Sequence, residues 1–157
     1  MMKKLATFIT CILLCLSCSV TVFAAETTSS AENPIIEESP VVITSTHNYF
    51  TKGLTKLNAL NYGSSNICHV TSGSIVGTNP SITKVSVYVR LSGSSCKLHV
   101  ISPNGTDKYV SVSSSGTYNF TGFNGENPSG DWYVYIVTNG SVSTASSGSL
   151  TVEYDHQ

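Results

Sequence analysis

The stretch Ile82-Thr83-Lys84-Val85-Ser86-Val87-Tyr88-Val89-Arg90-Leu91 decides the fold. Val85, Val87, Val89 and Leu91 alternate with Ser86, Tyr88 and Arg90. Successive side chains of a strand point to opposite faces, so this period of two describes a half-buried β-strand. Ser92-Gly93-Ser94-Ser95 then turns the chain, and Cys96, Leu98 and Val100 alternate with Lys97 and His99. Pro103-Asn104-Gly105 is a second turn, because Asn and Gly accept positive φ.

Outward from this hairpin the same grammar recurs. Asn66–Thr71, Ser74–Thr78, Asp107–Val112, Thr117–Thr121 and Ser149–Tyr154 each read as a short strand bounded by Gly, Asn or Ser. Trp132–Thr138 is apolar on both faces, which predicts a central strand covered on both sides. A Ser-rich loop follows Asn139-Gly140. Residues 47–62 read as a loop with a helical turn or short strand. Leu54, Leu57 and Leu60 have helical spacing, but Thr51, Gly53 and Thr55 are poor helix formers. The sum is an all-β chain, an antiparallel β-sandwich or jelly roll of about eight strands.

The N-terminus has a different composition. Lys3 and Lys4 precede an apolar run from Leu5 to Phe23, and Val22-Phe23-Ala24 suits a signal peptidase. We read residues 1–25 as a signal peptide, residues 26–46 as a flexible acidic Ser/Thr/Pro linker, and residues 47–157 as the β-sandwich domain. This organisation places the protein outside the cell or on its surface, with no stable membrane insertion once the signal is removed. Only 11% of residues are Asp, Glu, Lys or Arg, against about 25% in ordinary soluble domains. From His47 onward six basic residues face five acidic ones, so neither nucleic acid nor an anionic membrane has an electrostatic footing.

Of the five cysteines, Cys68 and Cys96 lie beyond the signal. In an oxidising compartment they are expected to form a disulfide, worth about 3–4 kcal/mol in the chain-entropy model.

Catalytic patterns are missing. The chain contains no Gly-x-Ser-x-Gly, His-Glu-x-x-His or P-loop. A Cys68–His69 nucleophile fails because adjacent strand residues face opposite ways. No carboxylate sits at a spacing that supports a His69–His99 metal pair, so these read as solvent-facing strand histidines. We therefore expect a non-enzyme that needs no cofactor. Glu126 and Asp131 share a loop and can ligate calcium, although a solvated turn explains them equally well. Tyr88, Tyr133 and Tyr135 fall opposite the inward residues of their strands. Such tyrosines can form an aromatic platform for sugar rings, or can simply pair across strands.

Two segments carry a family resemblance. Leu98-His99-Val100-Ile101-Ser102-Pro103-Asn104-Gly105-Thr106 resembles the strand and Ser-Pro-x-Gly-Thr turn of the P domain of proprotein convertases. Phe123-Asn124-Gly125-Glu126-Asn127-Pro128-Ser129-Gly130-Asp131-Trp132 resembles that family's Gly-Glu-x-x-x-Gly-x-Trp loop, and Gly148-Ser149-Leu150 its Gly-Thr-Leu. The family's acid before the Ser-Pro turn is replaced within Ser95-Cys96-Lys97-Leu98, and its acid after the Trp strand by Thr138-Asn139. The resemblance implies a jelly-roll accessory module that stabilises or positions a protease without being catalytic. The expected partner is thus a protein, such as a secreted hydrolase, with a cell-surface glycan as the alternative.

Overall fold

The computed structural model describes residues 44–157. The expected signal segment and all but the end of the expected linker lie outside the described residues. Nine strands form: β1 (Thr46–Leu54), β2 (Leu57–Leu60), β3 (Cys68–Thr71), β4 (Ser81–Gly93), β5 (Cys96–Ile101), β6 (Asp107–Val112), β7 (Gly116–Phe120), β8 (Asp131–Thr138) and β9 (Val142–His156). They build two antiparallel sheets. One has the order β1-β9-β4-β7, with β2 also paired to β9, and the other runs β3-β8-β5-β6.

The pairings β1·β9, β3·β8, β4·β7 and β5·β6 are nested one inside the next. With β1 and β2 taken as one interrupted strand, this is an eight-stranded jelly roll. The sequence expectation of an antiparallel β-sandwich holds.

The interruption accounts for the misread segment 47–62. β1 pairs with Gly148–His156 and β2 with Val142–Ala145. Between them Thr55 and Lys56 break the strand, and β9 bulges at Ser146–Gly148, where Ser147 has φ 52°. Both strands change inward parity at this point. Phe50 and Leu54 face inward before the break, and Leu57 and Ala59 after it. On β9, Ser143 and Ala145 are buried on one side of the bulge, and Leu150 and Val152 on the other. Leucines three apart therefore arise from a broken strand and not from a helix. The Ser-rich loop expected after Asn139-Gly140 is likewise part of β9, and residues 72–80 form no strand.

The core lies between the sheets. Val85, Val87, Val89, Leu150 and Val152 meet Leu98, Val100, Trp132, Val134 and Ile136, all of them buried. Each such aliphatic side chain contributes about 1.5–3 kcal/mol by leaving water. Trp132 is fully enclosed, and its indole Nε1–H donates to the Pro128 carbonyl at 3.1 Å. Phe123 and Phe50 meet the indole edge-on, with centroids 5.8 and 6.4 Å away.

The loop before Trp132 is tied to its surroundings. Gly125 N–H donates to the Ile82 carbonyl and Ile82 N–H to the Glu126 carbonyl, both at 2.9 Å, so the loop closes over the start of β4. Gly130 has φ 127°, and a Cβ there would stand 2.9 Å from Pro103 Cβ. Backbone conformation and space both demand glycine at this position.

The expected Cys68–Cys96 disulfide is not formed. Both thiols are free and buried. Cys68 lies opposite Val134 and Cys96 opposite Thr138, with β8 between their strands. Four residues along a strand and two strand spacings across put the Cα atoms roughly 16 Å apart, beyond the ~7 Å limit of a disulfide. Each thiol serves as a small core side chain instead. Cys68 Sγ accepts the Thr55 N–H at 3.3 Å, just where β1 gives way to β2.

Candidate functional site

The outer face of the four-stranded sheet carries the chemistry. β8 was expected to be covered on both sides, but its burial alternates strictly. Trp132, Val134 and Ile136 point inward, which leaves Asp131, Tyr133, Tyr135 and Val137 on the outer face. The neighbouring strands add His69 and Thr71 from β3, Lys97 and His99 from β5, and Asp107 and Tyr109 from β6.

Register brings these side chains together. Tyr135 lies opposite His99, and His99 opposite Tyr109, so three rings form a row across β8, β5 and β6. The imidazole is stacked on Tyr135 at 4.5 Å and on Tyr109 at 5.2 Å, with interplanar angles of 17° and 29°. Asp107 closes the cluster. Its carboxylate takes His99 Nδ1 at 3.1 Å and accepts the Tyr135 hydroxyl at 3.2 Å. Burial and the Asp107 carboxylate push the Tyr135 phenol above its ordinary range.

A second copy of this arrangement sits on the adjacent row. His69 stacks on Tyr133 at 5.1 Å and 23°, and its Nε2 meets Asp131 at 3.0 Å. Thr71 Oγ1 donates to the same carboxylate at 2.9 Å. Those two hydrogen bonds hold the Asp131 carboxyl below its ordinary range. Each histidine thus has an aspartate at one nitrogen and a tyrosine against its face. His69 and His99, expected to be free strand histidines, are both engaged. They stand on β3 and β5 with β8 between, each on its own carboxylate, and do not form a pair.

The expected tyrosine trio divides. Tyr133 and Tyr135 share this face, whereas Tyr88 lies on β4, opposite Thr117 and Ser149, on the outside of the other sheet. Tyr109, which the sequence reading did not single out, takes its place and is the most open ring of the cluster, at 56% exposure. The hairpin register around Pro103-Asn104-Gly105 was the available signal, because it sets Tyr109 directly across from His99.

The two acids of the 122–132 loop also separate. Asp131 belongs to the His69 cluster. Glu126 accepts the Ser102 hydroxyl at 2.5 Å and Asn104 Nδ2 at 3.3 Å, so it bridges its loop to the 102–106 turn. Each of the two carboxylates thus has hydrogen-bonding partners of its own. Among the described residues no group of three or more His, Cys, Asp or Glu is placed to hold a metal ion.

The rings of this face are partly taken up by one another. Both faces of His99 and one face each of Tyr109, Tyr133 and Tyr135 are used by neighbours within the chain. Lys97 Nζ lies 4.8 Å from the Tyr109 centroid. The surface consequently offers ring edges, hydroxyls and imidazole N–H groups. A His–Asp pair can serve as an acid–base relay when a nucleophile reaches the free ring nitrogen. No hydrogen bond among the described residues brings one to His99 Nε2.

No family model matches this chain, and no curated protein matches it. Among solved structures it is similar to the crystal structure of FlhE, with 14% identity and a TM-score of 0.47 over 73% of this chain and 100% of that one.

Proposed function

We propose that this chain is an exported, non-catalytic jelly-roll module that acts by associating with a protein partner through the outer face of β3-β8-β5-β6. The observation that carries the reading is the pair of His–Asp–Tyr clusters fixed on that face. Aromatic side chains with polar edges, already locked by stacking, lose little conformational entropy on contact, which is why tyrosine is favoured in binding surfaces. The outside of the five-stranded sheet also carries exposed tyrosines, Tyr49 and Tyr88, but these stand among hydroxyl-bearing and charged side chains and not in stacked His–Asp–Tyr clusters. Thr51, Ser86, Thr117, Ser149 and Thr151 lie there beside the Lys84–Glu153 ion pair and the His47–Asp155 hydrogen bond.

The P-domain resemblance supports association with a secreted hydrolase. Its two main segments are adjacent in the fold, joined through Ser102, Asn104 and Glu126. A neutral-glycan platform, the alternative, would have to use the one ring face that each of Tyr109, Tyr133 and Tyr135 keeps beside its stacked histidine. A binding assay against a neutral polysaccharide array separates the two. The protein-association reading expects no glycan binding that depends on Tyr133 or Tyr109. Saturable glycan binding lost in Tyr133→Ala would replace it.

A further inference from the structure

We propose that this face is acid-activated, and that protonation of His69 and His99 turns it into a surface for an acidic segment of a protein. The inference rests on the binding role of the face and adds its regulation and the charge of its partner.

The charged groups facing these histidines are few. β8 contributes Asp131 beside the phenols of Tyr133 and Tyr135, β6 contributes Asp107 and the phenol of Tyr109, and β5 contributes Lys97. Two aspartates against one lysine leave the face at −1 with both imidazoles neutral and bring it to +1 with both protonated. Histidine is the side chain that makes such a change near neutral pH.

Each site is built to hold the cation. An imidazolium at His99 would lie between two tyrosine rings, both within cation–π range, with Asp107 at Nδ1. An imidazolium at His69 would lie on Tyr133 with Asp131 at Nε2. A charge-assisted hydrogen bond is stronger than a neutral one, so the pairs tighten on protonation. His69 Nδ1 and His99 Nε2 then both carry N–H, free for acceptors from outside. Two strand spacings across and two residues along place the histidines about 12 Å apart, a span that about four residues of an extended peptide cover. Carboxylates on such a peptide complement both.

The test uses untagged protein and an immobilised peptide of consecutive glutamates, read by surface plasmon resonance at pH 5.5 and 7.5. Binding is expected at the lower pH and should weaken by roughly tenfold or more at the higher. His69→Asn and His99→Asn should each reduce it and together abolish it. His47→Asn, which removes an imidazole from the other sheet, should leave it unchanged. Equal binding at both pH values, or a double variant that binds like the parent, would overturn the inference. So would no binding at either pH, or tighter binding of an oligogalacturonate than of the peptide. A partner that cross-links to Tyr109 equally at both pH values would remove only the acid dependence and leave the binding role standing.

Discussion

His99 lies parallel to Tyr135, 4.5 Å away between ring centroids, and both side chains reach the carboxylate of Asp107. The three residues come from three adjacent strands and are separated by 8 and 28 positions in sequence. Only the β8-β5-β6 register makes them neighbours. The consequence is an outer sheet face whose aromatic side chains are held by neighbours within the chain.

The core anchor makes the first prediction. Trp132→Ala should cost about 3–5 kcal/mol, as expected for a large buried aromatic. Urea denaturation measures the loss. The single tryptophan also reports directly, since its emission should be blue-shifted in the native state and move red on unfolding. A native spectrum typical of water-exposed indole would contradict the enclosed position.

Glu126 makes the second. It receives Ser102 Oγ and Asn104 Nδ2, so truncation leaves a part-buried hydroxyl without its acceptor. Glu126→Ala should destabilise by about 1–3 kcal/mol. A double-mutant cycle with Ser102→Ala should show coupling, because the two side chains share one hydrogen bond. Strict additivity would mean that this bond contributes nothing.

The third concerns Asp131, whose pKa is lowered first by hydrogen bonding to His69 and then by Thr71. A carboxyl depressed in the folded state contributes stability above its unfolded pKa, and that contribution disappears as pH falls through the folded value. His69→Ala should therefore raise the Asp131 pKa toward the ordinary range, and Thr71→Val should do so to a smaller extent. Carboxyl-resolved NMR titration reads both. An unchanged titration in His69→Ala would show that the pair is not formed in solution.

The thiols give the fourth. Burial pushes the Cys96 pKa from 9.0 up to about 11, so the group stays protonated and unreactive near neutrality. Cys68 and Cys96 should react slowly with a thiol reagent in native protein, and both should be labelled once the unreduced protein is unfolded. The contribution of Cys96 to stability is complete below pH 9.0 and is lost as pH rises through about 11. Failure to label Cys68 and Cys96 in the unfolded, unreduced chain would mean that these two had paired, against the register that separates them.

Much of the fold was legible because strand alternation is local. Val85, Val87 and Val89 announce their inward face without help from the rest of the chain. β1 and β2 were hidden because their parity changes at Thr55-Lys56, and the matching bulge in β9 hid the Ser-rich half of that strand. β8 looked covered on both faces because Tyr133 and Tyr135 count as apolar. In the fold these rings stack on histidines, and the Tyr135 hydroxyl reaches a carboxylate. The candidate face was only half legible, because cross-strand neighbours are set by long-range register and not by spacing. The disulfide expectation failed for the same reason, since distance between cysteines in sequence carries no information about distance across a sheet.

The most direct test of the central claim compares the two outer faces. A photo-crosslinking amino acid is introduced at Tyr109 or Tyr133 on one sheet, and at Tyr88 or Tyr49 on the other, and each protein is exposed to the secreted fraction of the producing cell. All four positions are exposed, between 37% and 65%. The account predicts a discrete protein adduct from Tyr109 and Tyr133 and none from Tyr88 or Tyr49. Adducts from the five-stranded sheet alone, or equally from both faces, would contradict it.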